Sequence, residues 1–504
     1  MALDGALNMA ISGLRLVSRQ MSQGADNVAN AGTPGYSAKR VTGEAVVEGG
    51  VRVLEVRRQI DLSLRTEARL ARSEAGSTAV RARVLEPLTQ LQGDPASGTS
   101  IGGLVAGLRD SLVALRATPA SAASQGAALR AGLDVAARFR EISNAIERSR
   151  QAVHDGLVAD VEEANRVLGD LTKLDAEARA ARGSGVSDAA VLDRRDAALN
   201  RFAELLDVTP VTTEEGGLIL ILRGGSTIPL SLADNPFSLN AARLTPQAYW
   251  GPLGEIPGLS LFGTDVTATL KGGRIGAAIE LRDRTLPLMQ AELDVTASAL
   301  ATRFDAQGLR LFTDGAQTTT PPPDASEVGY TGAVLGFAQR IDVSQQVIAA
   351  PRLLRDGTHP VPDIGFTPNP SGGASGFGIL LDAVLNRTFG SVSDQEGSPH
   401  PDVPTSQLGP GRNLAASFNP PLRLGDIASA VAASHATLTS VAAERADEAA
   451  ASRARIDGLL AQREGVDVDS EMATLLQLQN AYTANARVMA VVQEMWDALF
   501  AAMR

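Results

Sequence analysis

Apolar residues at the start of the chain repeat with a regular spacing. Positions 3, 10, 17 and 24 are seven residues apart, and a second apolar position follows each of them by four residues. This alternation of four and three residues predicts an amphipathic helix with a coiled-coil seam. The helix should end at residues 30–36, because Gly and Pro in Asn-Ala-Gly-Thr-Pro-Gly-Tyr favour a turn. The seam residues singled out here are Leu3, Leu7, Leu14, Val17, Met21 and Val28.

The end of the chain carries the clearest periodic pattern in the sequence. Positions 468, 475, 482, 489 and 496 are seven residues apart, and positions 478, 485, 492 and 499 follow four of them by three. At about 1.5 Å per residue this helix would be about 50 Å long and the first helix about 40 Å, so both chain ends could be partners of one coiled coil. The residues of this second seam are Val468, Leu475, Leu478, Tyr482, Met489, Val492, Trp496 and Leu499.

Two readings of these seams remain open. An ordinary intramolecular core also produces an apolar heptad, and periodicity alone favours that core over an interface between molecules. Asn485 fits either a polar residue that sets the register of the helices or a position that faces solvent. Alanines beside the seam would permit neighbouring helices to approach closely.

The interior of the chain alternates between helical and β patterns. Valines on both sides of residues 48–50 predict a β-hairpin. Residues 60–207 are helical in pattern, with breaks at 93–95 and 118–119, and residues 208–230 again have the pattern of a β-hairpin. A second helical block covers 274–311. Residues 315–425 are rich in Pro, Gly, Ser and Thr, which favours a β or loop-rich insertion, with partial disorder as the alternative.

The order of these patterns predicts a mainly α protein with inserted β domains. Its centre would be a long antiparallel helical bundle or coiled coil formed by both chain ends, with a β-rich outer domain attached. We expect three units: a terminal coiled-coil assembly domain of residues 1–40 and 466–504, a helical rod domain of residues 41–207, 272–312 and 424–465, and a β- and loop-rich outer insertion domain of residues 208–271 and 313–423.

Composition narrows the classes of function. The 504 residues include no cysteine and carry a formal net charge of -11. Disulfides and thiolate metal sites are therefore excluded, and the acidic balance argues against nucleic-acid binding. No segment has the roughly 18 apolar residues of a membrane span, and the first 20 residues do not read as a cleavable signal peptide. We expect neither nucleic-acid binding nor membrane insertion.

No catalytic or cofactor motif stands out. The four histidines are isolated from one another, and the HExxH, GxSxG, Walker A and GxGxxG patterns are missing from the sequence. We therefore expect no metal, no cofactor and no enzyme activity. A pair of carboxylates would suffice for a glycosidase, so sequence alone leaves a hydrolase open. The charged residues 193–196 (Asp-Arg-Arg-Asp) lie on an amphipathic helix and predict a solvated or salt-bridged face.

Both ends resemble one family. Residues 27–37 (NVANAGTPGYS) after an amphipathic helix resemble the N-terminal signature of the bacterial flagellar axial proteins, which include rod, hook and hook-associated proteins. Residues 468–473 (VDSEMA) and 478–482 (LQNAY) are similar to the C-terminal signature of the same group. In the middle, residues 192–199 (LDRRDAAL) and 272–276 (GGRIG) resemble the hook-associated junction proteins, whereas hook proteins are mostly β after their first helix.

This resemblance implies a structural subunit that joins hook to filament in the bacterial flagellum. Such a subunit is secreted by flagellar type III export and assembles through its terminal helices. The implied partners are hook protein, a second junction protein (hook-associated protein 3), further copies of the chain in a helical or ring layer, and an export chaperone at the C-terminal helix. The implied assembly interface comprises both seams together with Asn30, Pro34, Gly35 and Tyr36. The alternatives are a flagellar hook or distal rod protein, and then a surface adhesin or wall hydrolase.

Overall fold

The computed structural model describes residues 2–46, 50–94, 97–214, 217–230, 234–315, 320–416 and 418–502. The helices are α1 (Ala2–Ala29), α2 (Leu62–Gln92), α3 (Ile101–Ala117), α4 (Ala122–Gly183), α5 (Ala189–Leu205), α6 (Gly273–Glu280), α7 (Leu286–Asp305), α8 (Ala325–Val328), α9 (Phe337–Arg340), α10 (Gln345–Ala349), α11 (Leu353–Asp356), α12 (Ile379–Ala383), α13 (Leu424–Glu464) and α14 (Val468–Ala502). The strands are β1 (Lys39–Ala45), β2 (Val51–Arg58), β3 (Val208–Thr212), β4 (Leu218–Leu222), β5 (Thr227–Pro229), β6 (Phe237–Ser238), β7 (Ser260–Leu261), β8 (Thr264–Asp265), β9 (Phe312–Asp314) and β10 (Ile341–Val343).

Helices α2, α3 and α4 begin at side-chain caps. The side chain of Asp61 accepts a hydrogen bond from the backbone N–H of Leu64 at the start of α2, and Ser100 and Ser121 cap α3 and α4 in the same way. Each cap satisfies one of the backbone N–H groups that a first helical turn leaves without a partner. The predicted breaks at residues 93–95 and 118–119 are confirmed, because α2 ends at Gln92 and α3 at Ala117.

Helix α4 is the longest element, with 62 residues. At about 1.5 Å per residue it extends about 93 Å. The apolar positions that sequence spacing assigned to one face, 139, 142, 146, 153, 157 and 161, are all buried. They belong to one continuous hydrophobic core that also includes residues of α3, α5 and α7. The helical period of the sequence therefore identifies the buried face of α4 correctly.

The second helical block is divided by an irregular turn. Helices α6 and α7 are joined by a π-helical turn at Leu281–Thr285. Pro287 follows this turn and has no backbone N–H to donate to it, and the carbonyl of Arg282 within the turn accepts from Nε of Arg150 at 2.8 Å. The expected helical pattern of residues 274–311 is confirmed, but as two helices that end at Asp305.

The β structure consists of small antiparallel sheets. Strands β1 and β2 form the predicted hairpin, with Val41 opposite Val56; residues 47–49 of its turn lie outside the described residues. Strands β3, β4 and β5 form a meander, and β6, β7 and β8 form a second. Of the options left open for residues 315–425, the loop-rich one applies: the described part there holds short helices, and its strand β10 pairs with β9.

Helix α13 returns along the body of the molecule and packs on α2, α3 and α7. Its first half buries Leu424, Ile427 and Val431 against the core. Beyond Glu464 the chain turns at residues 465–467 and continues as α14, which pairs with α1. The mainly α prediction and the pairing of the two chain ends are confirmed.

Candidate assembly interface

Helices α1 and α14 lie side by side and run in opposite directions. The side chain of Leu475 comes within 3.0 Å of the position that a Cβ atom on Gly24 would occupy. Further along, the amide of Asn485 lies 3.4 Å from the corresponding position on Gly13. Because a later residue of α14 meets an earlier residue of α1, the pair is antiparallel. The absence of side chains at these two glycines lets the helix backbones approach closely.

The contact between Asn485 and Gly13 decides one of the open readings. Asn485 is half-buried and faces α1, so it lies on the seam and does not project into solvent. A polar residue on a seam restricts the registers in which two helices can pack, because most shifts would bury its amide against apolar groups. Asn485 therefore occupies the position that a register-setting residue requires.

The structure places most of the predicted seam residues between the two helices. Val17 and Val492 are buried, at 7% and 5% exposure. The half-buried members are Leu7, Leu14, Met21, Val28, Leu475, Leu478, Met489 and Trp496. Leu3 belongs to α1, but its side chain lies outside the described part of the structure. The seam is thus an intramolecular contact within one chain, although a shallow one.

Three predicted members of the second seam do not lie between the helices. Val468, Tyr482 and Leu499 are exposed at 40%, 44% and 43%. The neighbouring Ala481 is half-buried and occupies the place expected for Tyr482. Their exposure within one chain leaves these three side chains accessible to other subunits, so their place in the predicted assembly interface stays a prediction.

Further apolar side chains of α14 remain exposed outside its contact with α1. We call this set the outer stripe and define it as Met472, Leu476, Val488, Val491 and Met495, whose exposed fractions lie between 49% and 60%. Sequence reasoning missed this surface, although the spacing of positions 488, 491 and 495 by three and four residues carries the signal. Isolated exposed apolar residues are ordinary, but five along one helix form a candidate contact surface.

The hairpin of β1 and β2 covers another side of α1. Leu16 of α1 packs on Gly43, where an added Cβ atom would lie 2.6 Å from the leucine side chain. The side chain of Gln20 donates to the carbonyl of Val41 at 3.1 Å, and the backbone N–H of Val51 donates to Ser12 at 3.0 Å. Helix α1 is therefore held by α14 on one side and by the hairpin on another.

Asn27 organises the turn that follows α1. It is 1% exposed, and its amide donates to the carbonyl of Lys39 at 2.9 Å. Its Oδ1 atom accepts from the backbone N–H of Lys39 at 3.2 Å and from the Tyr36 hydroxyl at 2.9 Å. The ammonium group of Lys39 lies 3.4 Å from the centroid of the Tyr36 ring. Burial, followed by the negative charge of Asp26, raises the pKa of Tyr36 to about 12, so its hydroxyl remains a donor.

The remaining motif residues shape the turn. Asn30 donates from its side-chain amide to the carbonyl of Asp26 at 2.8 Å, and the same carbonyl accepts from the backbone N–H of Asn30 at 3.1 Å. Gly35 has φ +80, a conformation that a side chain would strain. Pro34 and Gly35 are exposed, while Asn30 and Tyr36 are half-buried. The turn directs the chain back so that Ser37, Ala38 and Lys39 are buried.

Buried ionic groups connect the terminal helices to the body of the molecule. We call Lys39, Arg58, Arg65, Asp193, Asp196 and Glu464 the ion cluster. Asp193 accepts from Lys39 at 2.5 Å and from Ser37 at 2.7 Å. The guanidinium of Arg58 lies 3.2 Å from Asp193 and 2.6 Å from Asp196. Of the residues 193–196 predicted to form a solvated or salt-bridged face, Asp193, Arg195 and Asp196 are salt-bridged and largely buried, and Arg194 is exposed.

Glu464 closes the cluster at the junction of α13 and α14. The Arg65 guanidinium binds Asp196 on one side and donates to Glu464 from Nε at 2.9 Å on the other. Glu464 also accepts from the backbone N–H of Asp61 at 2.8 Å, and its carbonyl accepts from Ala38 at 2.8 Å. Burial lowers the pKa of the Arg65 guanidinium, but the bond to Glu464 and the charge of Asp196 raise it overall.

The arrangement has the character of a structural contact. Within the described residues, we find no group of three or more His, Cys, Asp or Glu side chains that could hold a metal ion. A search of the same residues for a helix long and apolar enough to cross a membrane also found none. The interactions that this site shows are apolar packing, through the helix pair and the outer stripe, and salt bridges, through the ion cluster.

Comparison with known proteins gives the family context. Residues 85–316 match the family model described as the flagellar hook-associated protein FlgK helical domain. Residues 462–501 match the flagellar basal body rod FlgEFG protein C-terminal family. The chain is 24% identical over 232 residues to flagellar hook-associated protein 1 of Bacillus subtilis, a match that covers 42% of this chain and 45% of that protein.

Among solved structures, the flagellar hook junction protein FlgK from Burkholderia pseudomallei matches with a TM-score of 0.42 and 19% identity, covering 50% of this chain and 47% of that one. The chain spans about half the length of the relatives it matches.

The pairing of the chain ends agrees with the two matching families, which are both families of structural flagellar proteins. The middle of the chain, residues 85–316, is similar to the helical domain of the hook-associated protein FlgK. The resemblance to flagellar hook-associated proteins that the sequence indicated is confirmed, and the two family matches include residues 192–199 and the C-terminal signature.

Proposed function

We propose that this protein is a structural junction subunit of the bacterial flagellum, which joins hook to filament by packing its terminal helix pair against neighbouring subunits. The observation that carries the proposal is the outer stripe of α14. Its five apolar side chains are about half exposed along a helix that already contacts α1 through other residues, such as Leu475. An apolar face of this kind gains free energy when another surface covers it, at about 25 cal/mol per Å² of area removed from water.

The composition of α14 supports contact with other helices. Much of its surface carries short side chains, which permit other helices to approach closely. These are the alanines at positions 473, 481, 484, 486 and 490. Within the described part of α14, Val492 is the buried apolar residue, so one chain alone covers this helix poorly. We infer that α1 and α14 are marginal in the monomer and become firmly ordered when further copies of the chain, hook protein and the second junction protein pack around them.

We propose a division of labour along the chain. Assembly would be the role of the terminal domain, which comprises residues 1–40 and 466–504. Force would be transmitted by the rod domain, which comprises residues 41–207, 272–312 and 424–465. The outer surface would be formed by the insertion domain, which comprises residues 208–271 and 313–423. Contacts of the β1–β2 hairpin with α1 favour extending the first domain to residue 58. The ion cluster would fix its angle to the rod domain.

The route to the flagellum is part of the proposal. We infer secretion by type III export in an unfolded state, and binding of an export chaperone at α14 before export. A marginal helix with an apolar face suits both steps, because it is easily unfolded and offers a surface to a chaperone. No enzymatic step, cofactor or metal is included in the proposed function.

Electron microscopy of a strain lacking the protein tests the function. We expect complete hooks without filaments, and filaments restored by the wild-type chain. Normal filaments in the deletion strain would refute the junction role, and filaments lost together with hooks would instead favour a hook or distal rod protein.

Hydrogen exchange tests the physical basis. In the monomer we expect the amides of α14 to exchange at least about tenfold faster than those in the first half of α13, since their helix is less covered. The difference should disappear in assembled flagella. Equal protection of both helices in the monomer would contradict the idea that assembly orders the ends.

A further inference from the structure

Three arginines beside the ion cluster have buried nitrogen atoms without a protein partner. Among the described residues, Nε of Arg69, Nε of Arg195 and Nη1 of Arg72 are buried and have no hydrogen-bond acceptor. Arg69 and Arg195 are 7% and 9% exposed. Buried N–H groups are nearly always paired in folded proteins, so their concentration in one region indicates that something accepts from them.

These arginines are close to one another and to the cluster. Arg69 and Arg72 are one turn apart on α2, and Nη2 of Arg69 lies 3.3 Å from Asp196. Arg195 follows on α5 and holds Asp175 at 3.3 Å. Burial lowers the pKa of Arg69, Asp196 acts in the opposite direction, and the positive charges of Arg65, Arg195 and Arg72 lower it further. The guanidinium groups therefore lie within electrostatic reach of one another.

The buried charges of this region do not balance. The side chains exposed by 14% or less include five cations and four carboxylates, and the partly exposed Asp457 neutralises Arg72 separately. The cations are Lys39, Arg58, Arg65, Arg69 and Arg195, and the carboxylates are Asp175, Asp193, Asp196 and Glu464. One positive charge is in excess in a place that water reaches poorly, and a buried charge without a counter-ion is strongly unfavourable.

We propose that this region binds a small monovalent anion, with chloride as the natural occupant, between Arg69 and Arg195. The anion would accept hydrogen bonds from the free Nε–H groups and cancel the excess charge. A water molecule could accept the same hydrogen bonds but would leave the charge. The arginines are too deeply buried to offer a binding surface for a large anion. The anion would strengthen the connection between the terminal helix pair and the rod domain. This role does not depend on which proteins the chain assembles with.

Bromide provides a direct probe, because it replaces chloride and scatters X-rays anomalously. A crystal of the full chain grown in sodium bromide should show an anomalous peak within hydrogen-bonding distance of Nε of Arg69 or Arg195. Density from water alone at this position would overturn the proposal.

Thermal unfolding of the full chain provides an independent probe. At constant ionic strength, replacing gluconate by chloride from about 10 mM to about 300 mM should raise the melting temperature by about 2 °C or more. Arg195→Gln should abolish this dependence. Arg194→Gln is the matched control, because Arg194 is the preceding residue on the same helix and its side chain is 60% exposed; this variant should keep the dependence.

If Arg195→Gln does not fold, Arg69→Gln replaces it. An anomalous peak without any chloride dependence of the melting temperature would mean an adventitious ion only and would count against the proposal. The same holds for a chloride dependence that all variants share, since that would reflect a general effect of the salt on the protein surface.

Discussion

Glu464, the last residue of α13, is bonded to Arg65 near the start of α2. The two residues are 399 positions apart in the chain, and Arg65 Nε lies 2.9 Å from Glu464 Oε1 and 2.8 Å from Oε2. Because α14 begins four residues after Glu464, this pair fixes the point from which the C-terminal helix leaves the body of the molecule. The Arg65–Glu464 pair thus connects the rod domain to the terminal helix pair, and a single substitution can test this connection.

Glu464→Gln should weaken this connection. It removes one of the two carboxylates bonded to the Arg65 guanidinium and leaves Asp196, and losing a buried hydrogen bond between charged groups costs on the order of 2 kcal/mol. Urea unfolding should show the first transition at lower denaturant, and the amides of Ala38 and Asp61, which donate to Glu464, should exchange faster. Glu44→Gln is the control, since the Glu44–Arg52 pair is exposed and worth about 0–1 kcal/mol. Equal effects of both variants would contradict the role of Glu464.

Asn27→Ala should unfold the turn after α1. The substitution removes five hydrogen bonds of a side chain that is 1% exposed, and two of them are to the backbone of Lys39. We expect a loss of about 2–3 kcal/mol in the free energy of unfolding of the terminal region. Asn30→Ala, at a half-buried position with a bond to one carbonyl, should cost about 1 kcal/mol. Chemical denaturation followed by circular dichroism measures both. A larger effect at Asn30 would be inconsistent with Asn27 as the organising residue.

Leu475→Asp and Leu476→Asp should have opposite consequences although the residues are neighbours. Leu475 packs on Gly24 within the helix pair, so an aspartate there should lower the stability of the monomer by about 2 kcal/mol or more. Leu476 is 60% exposed, so its replacement should leave monomer stability within about 0.5 kcal/mol and instead prevent incorporation into flagella. The measurements are thermal unfolding of the monomer and motility with electron microscopy. Normal motility of Leu476→Asp would remove the support that the outer stripe gives to assembly.

Asp294 should make stability depend on pH. Burial raises its pKa to about 6, although Tyr330, Ala338, Gly336 and Gln290 donate hydrogen bonds that lower it. Between about pH 4 and pH 6 the unfolded chain has lost this proton and the folded chain keeps it, so stability should fall as pH rises, by up to about 3 kcal/mol.

Asp294→Asn provides the comparison for this pH dependence, because an amide does not titrate. The free energy of unfolding of the wild type minus that of Asp294→Asn should decrease from pH 4 to pH 6 and stay constant above about pH 7. A difference that rises with pH would show that the hydrogen-bond donors dominate and that the pKa of Asp294 is in fact low.

Local patterns predicted a large part of the fold. The helical spacing of residues 139–161 identified the buried face of α4, and the Gly and Pro residues near 93 and 118 marked real helix ends. Such features depend on neighbours within one or two turns of helix, so a single sequence carries them. The pairing of the two ends could also be inferred, because both apolar seams need cover and have similar lengths.

The details of the candidate assembly interface were harder to predict from the sequence. Spacing by seven placed Tyr482 on the seam with Leu475 and Met489, whereas Tyr482 is 44% exposed, because the cover of each position depends on which part of the partner helix lies opposite it. The spacing of the outer-stripe residues could be read from the sequence, but nothing in the sequence distinguished them from the residues of the seam. The sequence predicted Asp193 and Asp196 only as part of a charged helix face and did not reveal their partners in the ion cluster.

By itself, the amino-acid sequence determined the helices, their breaks, the polar turn after α1 and the similarity of both ends to flagellar proteins. Only the tertiary structure decided which apolar residues of α14 are covered by α1, which remain outside, and that Glu464 meets Arg65 and Asp61. The physical reason is distance along the chain: helix periodicity and turn formation arise from neighbouring residues, whereas the partners of a buried ion pair are selected by the packing of elements hundreds of residues apart.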